Sequence, residues 1–248
     1  MIKAERGAIN ETGRTDRPTQ NRGGRARRSA YARGSAPVRA LATLRHEGLR
    51  GVWFKLLARC GYRRLLLLER PLDLPIPEHT PTLAVDIATL AEAEVDEYGA
   101  FRPDTPRHEV IERLRSGHIC FVARRDGRIV SAVWVAAQPV WSKFLRRWLD
   151  VAPGEAHVYD KFTDPACRGR GIANAVRSAH LRHFQRAGFR RETGAVLPEN
   201  ISSLRDDARG GFRCHGVLAS VGIGRWRVTF VRQPPRNAMP EAGDRRKT

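Results

Sequence analysis

Two arginines alternate with two glycines at Arg168-Gly169-Arg170-Gly171, just before a segment whose apolar residues have helical spacing. Glycine lets a bulky anion approach the main chain closely, and each guanidinium adds charge and directed donors. The first N–H groups of a following helix have no internal partner and lie at the positive end of its dipole. This stretch therefore predicts a phosphate-binding turn at a helix N-terminus.

Two other ligand classes fit the same residues less well. A dinucleotide fingerprint needs a third glycine where Asn174 stands, and its strand should run apolar into the turn instead of carrying Lys161. The Gly-Lys-Ser/Thr of a triphosphate-binding loop is absent from the sequence. Arginine-glycine contacts with nucleic acid usually occur in disordered tracts, whereas this turn lies between a predicted strand and an amphipathic helix. The spacing therefore favours a cradle for a diphosphate.

Groups suited to proton transfer precede the turn on the predicted strand Glu155–Thr163. The candidates for a general base are Glu155, His157, Tyr159 and Asp160. His157 has the side chain whose ordinary pKa is closest to neutral pH. Period-two alternation predicts that His157 and Tyr159 share one face of the strand with Lys161 and Thr163. A role as an ordinary strand residue is an equally good interpretation for each candidate.

Metal and thiol chemistry find little support in the sequence. His180 and His183 are three residues apart on the helix after the turn, but no third ligand accompanies them. Four cysteines stand far apart without a CxxC pair, at Cys60, Cys120, Cys167 and Cys214. This spacing argues against a zinc site and against a disulfide framework, and it predicts a reducing, cytoplasmic environment. We therefore expect no metal.

The elements that must position these groups alternate along the chain. Among the earlier ones we predict a strand at 63–72, a strand or the start of a helix at 82–101, and a helix at 105–117. Asp126-Gly127 between two β-rich runs predicts a hairpin. Among the later ones we predict strands at 155–163 and 189–197, helices at 171–187 and 199–212, and a hairpin at 213–233.

Residues 138–154 mix aromatic with basic side chains. They are Trp141, Phe144 and Trp148 among Lys143, Arg146 and Arg147. The pattern favours a helix with an apolar stripe over a basic-aromatic surface for a membrane or another partner.

Composition divides the 248-residue chain, whose net charge is +19. Residues 1–36 are expected to be a disordered basic tail, 37–79 a helix-strand extension, 80–232 the globular domain and 233–248 a second disordered tail. No apolar run reaches the roughly 20 residues of a membrane span. The positive charge is concentrated near the two ends, so weak contacts of the tails with nucleic acid or another acidic surface are compatible with it. The sequence is also compatible with a homodimer.

Residues 162–176 resemble motif A of the GNAT (GCN5-related) N-acetyltransferase superfamily. That motif runs as a strand, a proline, two residues and Arg/Gln-x-x-Gly-x-Gly/Ala, matched here by Pro165 and residues 168–173. A second family motif follows in register as Asn200, Ser203, Gly211 and Phe212. The resemblance covers about residues 80–232. It implies an α/β fold of the α+β sandwich type, with a mixed, largely antiparallel central sheet flanked by helices and splayed between its fourth and fifth strands.

The resemblance also implies acetyl-CoA as acyl donor and assigns residues to it. The diphosphate would be bound by Arg168, Gly169, Arg170, Gly171, Ile172 and Ala173. Main-chain N–H groups near Phe162 and Thr163 would polarise the thioester carbonyl, and Asn200 and Ser203 would contact the CoA arm. The family often has a tyrosine as thiol acid where this chain has Asp207. The acid is then water, Tyr159 or no dedicated group.

We therefore expect an acyl-CoA-dependent N-acetyltransferase with His157 and Tyr159 as catalytic residues. It would transfer the acetyl group by direct attack of an amine in a ternary complex, and a small-molecule amine is favoured over a protein. The alternative is a nucleic-acid-associated binding module that acts through its basic tails and retains a non-catalytic acyl-CoA-binding fold.

Overall fold

The computed structural model describes residues 62–223, 226–233 and 239. The predictions of a basic tail at 1–36 and of a helix after residue 37 lie outside these residues, as does nearly all of the predicted tail at 233–248. The described strands are β1 Arg63–Pro71, β2 Asp86–Thr89, β3 Ile119–Arg125, β4 Arg128–Ala136, β5 Val140–Ser142, β6 Arg147–Leu149, β7 Glu155–Thr163, β8 Arg191–Val196, β9 Arg213–Ile223 and β10 Trp226–Arg232. The described α-helices are α1 Val95–Phe101, α2 Arg107–Arg115, α3 Ile172–Arg186 and α4 Ile201–Arg209.

Eight strands form one sheet in the order β10-β9-β1-β8-β7-β4-β3-β2. Every neighbouring pair is antiparallel except β7 and β8, which run parallel. Helix α3 lies between these two strands in the sequence. The mixed, largely antiparallel sheet is thus confirmed. Strand β1, predicted in an extension before the domain, lies between β8 and β9 within this sheet.

Strands β7 and β8 pair only over their first four residues, from Glu155 opposite Arg191 to Val158 opposite Gly194. Beyond Val158, β7 continues to Thr163 without pairing to β8. The two strands therefore open a cleft in the middle of the sheet, as expected for the splay.

A β-bulge in β7 changes which residues share a face. The register with β4 shifts between Ala132 and Trp134, and Asp160 has a φ of 46°. A bulge opposes two residues to one and so reverses the alternation after it. Tyr159 stacks near Trp134, whereas Lys161 reaches α4 across the opposite face. The prediction that His157 and Tyr159 share a face with Lys161 and Thr163 was therefore wrong.

Apolar residues cover both faces of the sheet. On one face, α3 and α4 pack through residues such as Ile172, Val176 and Leu204 against Leu66 and Leu68 of β1. On the other face, α1 and α2 contribute a second cluster, in which the indole of buried Trp134 donates a 2.8 Å hydrogen bond to the Tyr98 hydroxyl. The site described below opens through the sheet between these two layers.

The segment 138–154 is not the predicted helix. It forms the small β5–β6 pair, in which Trp141 stands opposite Trp148 and the two exposed rings meet edge to face at 5.5 Å. Arg146 adopts a φ of 54° in the turn, and the buried side chain of Leu145 anchors it. Cross-strand aromatic pairs stabilise antiparallel strands. The aromatic residues that suggested a helical stripe therefore pair across two short strands instead.

The remaining predicted elements are confirmed within a few residues. Asp126 and Gly127 link β3 to β4 with φ values of 50° and 73°, as a two-residue hairpin with both central residues left-handed requires. Among the described residues, no helix is long and apolar enough to cross a membrane.

Candidate functional site

The Arg-Gly-Arg-Gly stretch forms a turn whose main chain is open at the start of α3. Gly169 and Gly171 have φ values of 73° and 78°, a left-handed conformation that favours glycine. The first internal bond of α3 runs from the Ala175 N–H to the Gly171 carbonyl at 3.1 Å. Gly171 is the N-cap and has no side chain to cap the helix, so the N–H groups of the first turn are available to an anion.

A short segment before β2 supports this turn. The Thr82 N–H donates to the Arg170 carbonyl at 2.9 Å, and a Cβ added at Gly171 would lie 3.3 Å from the Cα of Pro81. Nothing in the sequence near Pro81 indicates contact with a turn almost 90 residues away, so the contact between this segment and the glycine turn was not predicted. The glycine at 171 is thus required by both conformation and space.

Arg168 folds back toward the end of β7. Its Nε donates to the Thr163 carbonyl at 3.1 Å, and its guanidinium lies 5.8 Å from the centroid of the Phe162 ring. Arg168 is exposed at the mouth of a cavity of about 720 Å³, which is lined by Gly169 and Gly171, the first turn of α3 and residues of α4. Arg170 is also exposed, but it is not one of the residues that line this cavity. Ile172 is buried and Ala173 is exposed at this mouth. We call this the donor cavity.

The main-chain N–H groups near Phe162 and Thr163, which the family resemblance assigned to the thioester carbonyl, alternate in direction along β7. The Asp164 N–H donates to the Val130 carbonyl of β4 at 2.9 Å, and the Phe162 carbonyl accepts from the Ser131 hydroxyl of β4 at 3.2 Å. Since N–H groups alternate between the two edges of a strand, the N–H of Thr163 is directed away from β4, toward the cleft. Phe162 and Thr163 both line the donor cavity.

Asn200 is the N-cap of helix α4, and its side chain accepts the Ser203 N–H at 3.2 Å. The Ser203 hydroxyl in turn donates to Asp207 at 3.4 Å. Asn200 and Ser203 both line the donor cavity, and both also line a smaller space of about 250 Å³ between β7 and β8. We call this smaller space the splay cleft.

The splay cleft leads to a third space on the face of the sheet that carries α1 and α2. This acceptor cavity has a volume of about 1210 Å³ and is lined by α2, the start of β3 and the β5–β6 pair. Tyr159 and Asp160 line both the splay cleft and the acceptor cavity. The three spaces therefore share lining residues from one face of the sheet to the other.

His157 lies in the acceptor cavity but is buried, with 6% of its surface exposed. Burial lowers its pKa to about 4, and the nearby carboxylate of Glu155 only partly offsets this effect. Its Nδ1 lies 3.0 Å from the Thr193 hydroxyl. At neutral pH His157 is therefore an uncharged and weakly basic group.

Tyr159 is paired with a histidine that the sequence analysis missed. The Tyr159 hydroxyl lies 2.5 Å from Nδ1 of His118, the residue immediately before β3. Burial raises the pKa of Tyr159 although Arg113 opposes this shift, while burial and the charge of Arg113 both lower the pKa of His118. A protonated phenol thus faces a neutral imidazole, an arrangement able to accept and relay a proton.

The other two base candidates are held in ion pairs. Glu155 accepts from Arg191, with Nε at 2.7 Å. Asp160 accepts from Arg113 at 2.8 Å and forms an ion pair with Arg102 at 3.2 Å. Neither carboxylate is a free base.

The two helix histidines for which the sequence offered no third metal ligand have other partners. His180 is buried with its Nδ1 2.9 Å from Glu192, and the His183 ring packs edge to face on Phe121 at 5.4 Å. Across the part of the chain that the structure describes, no three His, Cys, Asp or Glu side chains are arranged to hold a metal ion.

Residues 87–205 match the family model of the acetyltransferase (GNAT) family. No curated protein matches the chain. A solved GNAT-family protein from Novosphingobium aromaticivorans is 23% identical, and the match covers 64% of this chain and 65% of that one at a TM-score of 0.46.

Two further solved structures are GCN5-related N-acetyltransferases. The protein from Sphaerobacter thermophilus is 16% identical, covers 77% of this chain and 57% of that one, and has a TM-score of 0.48. The protein from Kribbella flavida is 19% identical, covers 69% and 62%, and has a TM-score of 0.42. The match thus spans less than two thirds of the length of each of these three structures.

Proposed function

Since the chain belongs to the GNAT acetyltransferase family, matched over residues 87–205, we propose that it transfers an acetyl group from acetyl-CoA to a small-molecule amine. The observation that carries this proposal is the arrangement of three neighbouring spaces that share lining residues from one face of the sheet to the other. The glycine turn opens on the donor cavity, the splay cleft follows, and the acceptor cavity lies beyond Tyr159. Donor and acceptor can therefore meet in one ternary complex.

The donor cavity suits the diphosphate of CoA. An anion at its mouth would meet the first N–H groups of α3, the main chain of the left-handed Gly169 and Gly171, and the exposed Arg168. The exposed Arg170 adds positive charge between the two glycines. The pantetheine arm would run past Asn200 and Ser203 into the splay cleft. The outward N–H of Thr163, which lines the donor cavity, is available to the thioester carbonyl, where negative charge develops during attack.

The His118–Tyr159 pair supplies the base. An amine must lose a proton to complete its attack on the thioester. In our proposal the proton passes from the amine nitrogen to the Tyr159 oxygen as Tyr159 gives its own proton to Nδ1 of His118. The new C–N bond forms, the C–S bond breaks, and the thiolate leaves. His157 acts as a neutral lining group in this scheme and takes no proton.

The acceptor cavity supports a small molecule rather than a protein as the substrate. Its volume of about 1210 Å³ is somewhat above the roughly 300–1,000 Å³ of ordinary small-molecule pockets, so it can hold a small amine. The described cysteines Cys120, Cys167 and Cys214 are all free, which supports the proposed cytoplasmic location.

Calorimetry with the full chain and acetyl-CoA tests the donor, and a panel of amines assayed for released CoA thiol tests the transfer. We expect saturable acetyl-CoA binding and turnover with at least one amine. His118→Gln should keep acetyl-CoA binding and lower kcat by about 100-fold, the contribution typical of a general base. For the wild type, kcat/KM should fall in acid as His118 becomes protonated, and the fall should begin below the ordinary imidazole range because burial and the charge of Arg113 lower the pKa of His118.

His215→Gln is the matched control, because this histidine is exposed on β9 away from the three spaces. It should change neither binding nor kcat. No heat of binding at millimolar acetyl-CoA would overturn the proposal. The alternative module would gain support if, in addition, salt-dependent nucleic-acid binding disappeared on deleting residues 1–36.

A further inference from the structure

An ion pair crosses the floor of the splay cleft. Nζ of Lys161 on β7 contacts Oδ1 of Asp207 on α4, and the second carboxylate oxygen accepts the Ser203 hydroxyl at 3.4 Å. The Asp207 side chain is 3% exposed, whereas the Lys161 side chain retains 30% exposure. The carboxylate is therefore fixed in the protein interior, and the ammonium group is held at its edge with access to the cleft.

The bulge at Asp160 explains why the lysine reaches this position. Without it, Lys161 would share a face with Tyr159 and lie on the side of the acceptor cavity. With the alternation reversed, Lys161 lines both the splay cleft and the donor cavity, and Tyr159 lines the splay cleft and the acceptor cavity. The two groups thus approach the cleft from opposite faces of the sheet.

Lys161 is the only cation among the described residues that line the splay cleft. The two carboxylates there are Asp207, paired with Lys161, and Asp160, paired with Arg102 and Arg113. Much of the remaining lining is apolar and includes Leu65, Leu68, Val158, Val196 and Phe212. A thiolate released in this space meets one positively charged donor in an environment that strengthens electrostatic interactions.

We propose that Lys161, positioned by Asp207, protonates the CoA thiolate as it leaves. This inference rests on the proposed function. One proton moves from Nζ to sulfur as the C–S bond breaks, and the neutral Lys161 amine then regains a proton from water. An ionised Asp207 cannot donate a proton, but it can hold a lysine that does. The substitution of the tyrosine that the family resemblance implied at position 207 is thereby accounted for.

The thiol pKa of bound CoA, read from the ultraviolet absorbance of the thiolate, tests the proposal without any acceptor. Lys161→Met should raise the pKa of the bound thiol by about one unit, because a neighbouring cation favours the thiolate. Asp207→Asn should lower it below the wild-type value, because Lys161 is then no longer neutralised. The double variant K161M/D207N leaves no buried charge unpaired. Its thiol pKa should lie above the wild-type value, because the cation is gone, but below that of K161M, because the unpaired Asp207 carboxylate no longer opposes the thiolate.

Arg182→Met is the control variant. It removes a cation from the outer side of α3, where Arg182 pairs with the exposed Glu78, and should leave the thiol pKa unchanged. Lys161→Arg separates proton donation from charge alone, since a guanidinium does not release its proton in proteins. We expect it to keep the thiol pKa near the wild-type value while kcat falls by about 100-fold.

The outcomes are distinguishable. If CoA binds and its thiol pKa is the same in the wild type and in K161M/D207N, the inference is overturned and the proposed function stands. Full turnover of the Lys161→Arg variant would also overturn it. If wild-type chain does not bind CoA at all, the proposed function fails first, and this inference fails with it.

Discussion

Burial determines which imidazoles at this site can act near neutral pH. His157 and His118 both border the acceptor cavity, but His157 is almost completely enclosed and its pKa falls to about 4. His118 is less enclosed, and the phenol of Tyr159 gives it a partner for proton transfer. The position on the strand before the glycine turn favoured His157, whereas the surroundings in the fold favour His118.

The buried His157 should make stability depend on pH. In the unfolded chain the imidazole takes a proton near pH 6.5, but in the folded chain only near pH 4. Between these values the unfolded state binds more protons, so the free energy of unfolding falls as the pH falls from 6.5 to 4. At 1.36 kcal/mol per pKa unit, His157 contributes about 3 kcal/mol to this loss. Urea unfolding at pH 7 and pH 4.5 measures it.

His157→Gln should remove most of this contribution and flatten the pH dependence relative to wild type. His215→Gln, at an exposed position, should keep the wild-type dependence. Carboxylates titrate in the same range in all three proteins, so the difference between variants is the informative quantity. Equal pH dependence in the wild type and His157→Gln would show that burial does not suppress the protonation of His157.

The glycine turn could be predicted from the sequence, but the His118–Tyr159 pair could not. Gly169 and Gly171 are only two positions apart along the chain, and their conformational freedom is a local property. His118 and Tyr159 are 41 residues apart and meet only because β3, β4 and β7 adopt a particular register. The bulge at Asp160, which decides the face of Lys161, likewise depends on pairing with β4 and has no glycine to indicate it.

At the scale of elements, the start of α3 offers a direct test of the phosphate cradle. Gly169 and Gly188 flank α3, with φ values of 73° and 80°, and a Cβ added at either would meet no atom within 4 Å. Alanine at each position should therefore cost the same left-handed strain, about 1 kcal/mol in the free energy of unfolding. Only Gly169→Ala adds a methyl group at the mouth of the donor cavity.

We expect Gly169→Ala to weaken acetyl-CoA binding by about tenfold, equivalent to about 1.4 kcal/mol. Gly188→Ala should bind acetyl-CoA as the wild type does. Calorimetry for affinity and urea unfolding for stability measure the two effects separately. Equal affinities in the two variants would count against a diphosphate bound at the Gly169 main chain.

Helix α3 and the β5–β6 pair differ in how well sequence predicts them. In α3 the apolar spacing, the preceding glycines and the closing Gly188 all indicate the same element. In β5–β6, three-residue strands give no periodicity to detect, and the exposed Trp141 and Trp148 imitate the apolar stripe of a helix. The element that borders the acceptor cavity is therefore the one whose fold depends most on tertiary contacts.

At the scale of the whole molecule, β1 joins the parts of the sheet that carry the site. It pairs with β8 beside the splay cleft and with β9 on the other side. The buried Arg70 near its end donates to the Gly210 carbonyl after α4 at 2.8 Å and to the Pro75 carbonyl at 2.8 Å. The strand itself was predicted, but its central position was not, because long-range register leaves no local signal.

A chain truncated to residues 80–248 should therefore fail to unfold cooperatively, since β8 and β9 lose their shared partner. Within the full chain, Leu68→Ala should cost about 2–5 kcal/mol because Leu68 of β1 is 1% exposed in the core. Leu74→Ala, at a leucine that is 41% exposed just after β1, should cost less than about 0.5 kcal/mol. Urea unfolding measures all three changes. A truncated chain that unfolds cooperatively and binds acetyl-CoA like the full chain would show that β1 is an accessory to the fold, since the cleft between β7 and β8 would then form without the strand that lies beside it.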